Sequence, residues 1–110
     1  MIDKFNQINF SDAEILKIQT ENGDLNITIK DWQEKEMIIV FRDVVGFESF
    51  SPEGEDISHG SVNFEDQFIE RACNIANDDK EGVACFKFWS SWSNESILTI
   101  AARDYEIVSM

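Results

Sequence analysis

What this chain has least of is positive charge and the side chains of catalysis. Nine Lys and Arg stand against 22 Asp and Glu over 110 residues, a formal charge of -13. Affinity for nucleic acid rests largely on phosphate neutralisation, so this imbalance argues against such a partner. There is one histidine, His59, one proline, Pro52, and two cysteines, Cys73 and Cys85. One His cannot complete an ordinary zinc site, and the cysteines lack C-x-x-C spacing. They are also too few for a disulfide framework and read as reduced, partly buried thiols. Neither GxGxxG nor GxxxxGK occurs, so no loop is built to cradle phosphate. The stretch NDDKEG departs from the calcium-loop pattern and reads as a turn. His59 lies beside Ser58 and Ser61, but sequence neighbours seldom meet the geometry of a triad, and a solvated loop histidine is the simpler reading. The adjacent pairs Glu55/Asp56 and Glu65/Asp66 would point to opposite faces of a strand and bracket no cleft. The expectation is a protein that is not an enzyme and carries no cofactor or metal.

Long apolar runs are missing as well. The longest clean one, residues 37–41, is strand-length and far short of the roughly 18 residues of a membrane span. The opening MIDKFNQINF lacks the basic segment and apolar stretch of a secretory signal. A cytoplasmic protein without a membrane partner is expected. No repeat, low-complexity tract or linker interrupts the chain, so residues 1–110 read as a single domain.

What is present is a core. Hydrophobic residues make up 43% and aromatics 12%, with nine Phe and three Trp; such composition argues against disorder despite the charge. Two alternating runs, AEILKIQT and DLNITIK, flank Asn22-Gly23, the dipeptide favoured where both central turn residues need positive φ. A two-residue turn pairs Glu21 with Asp24, Thr20 with Leu25, Ile18 with Ile27 and Leu16 with Ile29. Leu16, Ile18, Leu25, Ile27 and Ile29 then share one face, with Ile15 as the exception. A third strand over residues 37–45 is apolar on both faces and reads as covered on both.

Residues 46–63 read as loop, with Pro52, Gly54 and Gly60 as breakers. Residues 64–76 fit a helix through Phe64, Phe68, Ala72, Ile75 and Ala76, or a strand through Ile69, Cys73 and Ile75; the strand is slightly preferred, because NDDKEG sits where a hairpin turn belongs. Residues 83–90 and 96–108 form a second hairpin around Ser93-Asn94-Glu95, with Phe86, Phe88, Ile97 and Ala101 on one face and Trp89, Leu98, Ile100 and Ala102 on the other. The second run is expected to bend or break near Arg103-Asp104. The fold class is mainly β: an antiparallel meander forming a small sandwich or barrel, with room for one short helix around 64–76.

Two features point to binding. Residues 43–70 carry eight carboxylates, among them Glu48, Glu53, Glu55, Asp56, Glu65, Asp66 and Glu70, and no Lys or Arg. This block serves either solubility or docking of a basic partner, where complementary potentials speed association. The other feature is Phe86, Phe88, Trp89 and Trp92 among serines. Phe86 and Phe88 belong to the core, and Trp92, nearest the turn, is the candidate interface anchor.

FSDAEILKIQTENGDLNITIKDW resembles the F-x-D-A-x-I hairpin that opens many small bacterial proteins. The whole chain, acidic and without catalytic residues, resembles the immunity proteins of bacterial toxin systems, in particular those of contact-dependent growth inhibition. The resemblance implies a cytoplasmic toxin inhibitor acting through protein–protein interaction, with a basic nuclease toxin as partner. The expected contact residues are Glu48, Glu53, Glu55, Asp56, Glu65, Asp66, Glu70 and Trp92. The alternative reading is a β-barrel carrier holding one small molecule.

Overall fold

The computed structural model describes residues 2–52 and 54–109. A short 3₁₀ helix, Ile2–Gln7, precedes β1 (Ala13–Glu21), β2 (Asp24–Lys30), β3 (Glu36–Ser49) and β4 (Asp56–Asn63). The helix α1 (Gln67–Ala76) follows, then β5 (Ala84–Ser90) and β6 (Ser96–Ser109). The protein is mainly β, an antiparallel barrel with one short helix, as the sequence implies. Its strands close in the order β1-β2-β3-β6-β5-β4. Two three-stranded meanders are thus joined along β3 and β6 and closed between β1 and β4, an order a sequential meander does not reach.

The Asn22-Gly23 hairpin forms with φ of 51° and 84° at those residues, the pair of positive values that a type I′ turn requires. Glu21, Thr20 and Ile18 oppose Asp24, Leu25 and Ile27 as expected. The expected pairing of Leu16 with Ile29 is corrected: the register shifts between Ile15 and Lys17, and Ile15 faces Ile29. One extra residue reverses the alternation, so Ile15 is fully buried and Leu16 is half-exposed.

The loop expected at 46–63 is instead mostly strand. β3 runs on to Ser49 and β4 occupies Asp56–Asn63. Of the two glycines expected as breakers, Gly54 does stand in the turn between the strands at φ 86°, whereas Gly60 is within β4 and leaves room. A Cβ on Gly60 would sit 2.8 Å from ring carbons of both Phe5 and Phe10, and one on Gly46 would stand 3.4 Å from Cβ of Ala72 on α1.

Residues 67–76 are helical, so the preferred strand reading there is overturned. Asp66 adopts extended backbone and its carboxylate accepts the N–H of Phe68, the ordinary N-cap arrangement. Asn77, at φ 55°, closes the other end in the left-handed region. NDDKEG therefore links helix to strand. Arg103 holds this link, reaching Asp78 Oδ1 at 3.1 Å and the carbonyls of Glu81 and Asp79 at 3.0 Å.

β6 passes Arg103-Asp104 without breaking, because its second half stays paired with β3 as far as Ser109 opposite Met37. The faces of the second hairpin are also corrected. The register shifts between Phe88 and Trp89, leaving Phe86, Phe88, Leu98 and Ile100 together inside at 0% exposure. The five-residue connection changes the parity of β6 relative to β5.

The barrel interior is aromatic. Phe5, carried in by the 3₁₀ helix, lies 5.1 Å from Phe86, 5.5 Å from Phe88 and 5.6 Å from Phe10, centroid to centroid. Phe41 and Tyr105 complete its surroundings at 6.0 and 5.3 Å. Outside the barrel, Ile69, Ala72 and Cys73 of α1 cover Cys85, Ala101 and Val83. With the rings enclosed on all sides, Gly60→Ala forces Phe5 and Phe10 out of place. Such overpacking costs about 1–3 kcal/mol. A lowered urea midpoint in circular dichroism checks this; an unchanged midpoint would refute the role assigned to Gly60.

Candidate functional site

The expected contact residues divide between two places. Glu48, Asp66 and Glu70 gather around the first turns of α1, and each meets a cation. Glu48 pairs with Arg71, Asp66 with Lys87 at 3.0 Å and Glu70 with Lys80 at 2.9 Å. The block lacks cations in sequence, yet Arg71, Lys80 and Lys87 fold onto it from just beyond its end. Glu65 stands exposed on the β4–α1 connection and forms no ion pair among the described residues. Glu53 lies outside the described residues.

Burial acts to raise the Asp66 carboxyl, but the Phe68 N–H and the Lys87 ammonium outweigh it and hold the pKa below the ordinary aspartate value. A depressed folded-state pKa contributes stability that is present above the unfolded value, near 3.9, and is lost as pH falls through the folded value. Asp66→Ala should therefore cost about 1 kcal/mol at neutral pH. The deficit relative to the native chain should shrink below about pH 4. Urea titrations at both pH values check the sign.

Glu55 and Asp56 lie elsewhere, at the end of the barrel where β3 stops and β4 begins. The turn between β5 and β6 is tied here, with Ser91 N–H donating to the Asp56 carbonyl at 3.0 Å, and the end of β3 is tied to β6, with Phe50 N–H donating to the Ile97 carbonyl at 2.9 Å. A surface groove of about 710 Å³ opens there, lined by Phe50, Glu55, Trp89, Ser93–Ser96 and Ile97. Glu55, Asp56 and Glu95 form no ion pair among the described residues. Across the short β1–β4 pairing Asp56 faces Glu14, whose carboxylate reaches Lys30 at 3.8 Å. Trp92 sits on the same turn and is 79% exposed.

The walls of the groove are fixed. Trp89 donates from Nε1 to Ser61 Oγ at 2.9 Å, stacks on His59 at 5.7 Å with 9° between the rings, and has Lys87 Nζ 5.5 Å from its centroid. His59 is thus a strand residue packed on Trp89 and bonded to Ser58 Oγ, which corrects its reading as a loop histidine. Buried Ser90 accepts the N–H groups of Trp92 and Ser93 at 3.1 and 3.3 Å, which anchors the turn.

Phe50, Glu95 and the wall formed by Trp89 were not among the expected contacts. Phe50 had a signal, since an aromatic between serines and before Pro52 has little claim on a core. Glu95 had none, because only the folding of its turn beside Glu55 brings these acids together.

The interior offers little to a carrier. Where a ligand would sit, the barrel holds Phe5, Phe10, Phe41, Phe86 and Phe88, all at most 1% exposed. No group of three or more His, Cys, Asp or Glu able to hold a metal occurs among the described residues, and no helix there is long and apolar enough to cross a membrane. Both cysteines are free and buried. Burial pushes the Cys85 thiol up to about 12 and raises Cys73 as well, which keeps both protonated at neutral pH. Ellman's reagent should therefore titrate them in urea and leave them almost unreacted in the native protein; fast native labelling would contradict this packing.

Compared with known proteins, the chain matches no family model, no curated sequence and no solved structure.

Proposed function

We propose that this chain is an immunity protein of a bacterial toxin system, of the contact-dependent growth inhibition kind. It acts in the cytoplasm by binding a basic nuclease toxin domain and covering its active cleft. The observation that carries this reading is the meeting of Glu55 and Glu95, neither ion-paired among the described residues, in one groove with the exposed ring of Phe50.

Carboxylates in this position stand in for substrate phosphates opposite the Lys and Arg of a nuclease. Close charge pairs across a nuclease–inhibitor interface couple by about 1.5–7 kcal/mol. The net charge of -13 adds a long-range attraction that raises the encounter rate and fades with salt. Exposed aromatics beside the acids supply short-range contact area, because interface hot spots concentrate in such rings. Binding, with no chemistry of its own, suffices for this role.

Co-expression with the toxin domain encoded immediately upstream should restore growth and yield a stable complex. Failure on both counts would sink the reading. The double variant Glu55→Lys, Asp56→Lys should slow association about tenfold at low salt and flatten its salt dependence, with thermal stability unchanged. An association rate equal to that of the native chain would remove these two residues from the interface.

A further inference from the structure

Large apolar side chains in water and carboxylates without cations are each unremarkable alone. Their coincidence in one rigid groove is more specific. Phe50 keeps 62% of its surface exposed on one wall. Trp89, held by Ser61 and His59, lines the same groove as a fixed wall. The turn that carries Glu95 is pinned by Ser90 Oγ, and Glu55 lines the same groove. By contrast, Glu48, Asp66 and Glu70 around α1 already have Arg71, Lys87 and Lys80 as partners. In this groove negative charge and apolar surface therefore meet with neither satisfied.

We propose that this groove receives an arginine-bearing segment of the protein partner, with a guanidinium laid over the Phe50 ring and bonded to the carboxylates of Glu55 and Glu95. The assignment rests on the inhibitor reading for the partner's identity, while the recognition chemistry follows from the groove itself. A guanidinium is the cation that suits it: planar enough to stack on an aromatic face, weakly hydrated, and able to donate in two directions at once. The volume, about 710 Å³, exceeds one side chain and matches a short peptide segment in a site of ordinary size. A second copy of this chain is a poor occupant, because two bodies of charge -13 repel each other. Fixed walls reduce the ordering cost of binding.

The test is titration of acetyl-Arg-Leu-Arg-amide into the isotope-labelled full chain, followed by amide and indole chemical shifts. The uncharged mimic acetyl-citrulline-Leu-citrulline-amide serves as control. Saturable shifts should centre on Phe50, Glu55, the Trp89 indole and residues 93–97, and the citrulline peptide should produce none. Phe50→Ala and the double variant Glu55→Gln, Glu95→Gln should each weaken binding by about fivefold or more, at unchanged melting temperature. Shifts spread over the acidic surface at Asp12, Glu21 and Asp104, or centred on Glu65 and Glu70, would overturn the assignment. So would dimers in sedimentation without peptide that Phe50→Ala abolishes, since a second copy would then be the occupant. The two readings fail separately. A toxin domain bound equally well by the native chain and both variants removes the groove and keeps the inhibitor; groove-centred peptide binding by a chain that neutralises no toxin keeps the groove and removes the inhibitor.

Discussion

The barrel depends on how its interior is filled beside a short seam. β1 and β4 pair through two residue pairs only, Ala13 with Ile57 and Glu14 with Asp56. Beyond them the edge of β4 is met by the N-terminal segment, where Asn6 Oδ1 accepts the Val62 N–H at 2.8 Å. Phe5 and Phe10 enter from that segment and stand against rings from β3, β5 and β6. Edge-to-face contacts of this kind add about 0.5–1.5 kcal/mol per pair beyond simple burial. Gly60 is the concession that admits them. A side chain there would push the plug out and uncover a sheet edge, which is a hazard for any β protein.

The outer surface follows a related rule of space. Gly46, Ala101 and Cys85 lie side by side across β3, β6 and β5, and this row of small side chains is where α1 settles. The helix brings Arg71 toward Glu48, and its N-cap Asp66 meets Lys87. Packing α1 therefore also neutralises part of the acid block. Glu55 and Glu95 stay uncompensated in the groove between Phe50 and the β5–β6 turn.

Much of the architecture was legible in the sequence. Asn22-Gly23 between alternating runs specified a hairpin, and the all-apolar stretch at 37–41 marked a strand, but only its Ile39 and Phe41 face is buried while Ile38 and Val40 stay half-exposed rather than covered. Phe86 and Phe88 read as core and are. The misreadings share a cause. Bulges at Leu16 and Ile97 each add one residue, and strand alternation has no memory across such an insertion. Gly60 looked like a breaker because local propensity cannot register that two rings will lie against it. Residues 67–76 satisfied both periods, and only the Asp66 cap together with the small-residue platform beneath decides for helix.

The sequence by itself determined the β class, the main hairpins, the aromatic core and the strong negative charge, because these follow from composition and from patterns spanning a few residues. Tertiary structure alone decided which carboxylates remain available. Glu48 and Glu55 are equivalent in sequence, both acids in a block without cations. Folding puts Arg71 beside one and an open aromatic groove beside the other. Coulomb energy depends on distance in space, and that distance is set by strand order and helix packing, which no local pattern carries.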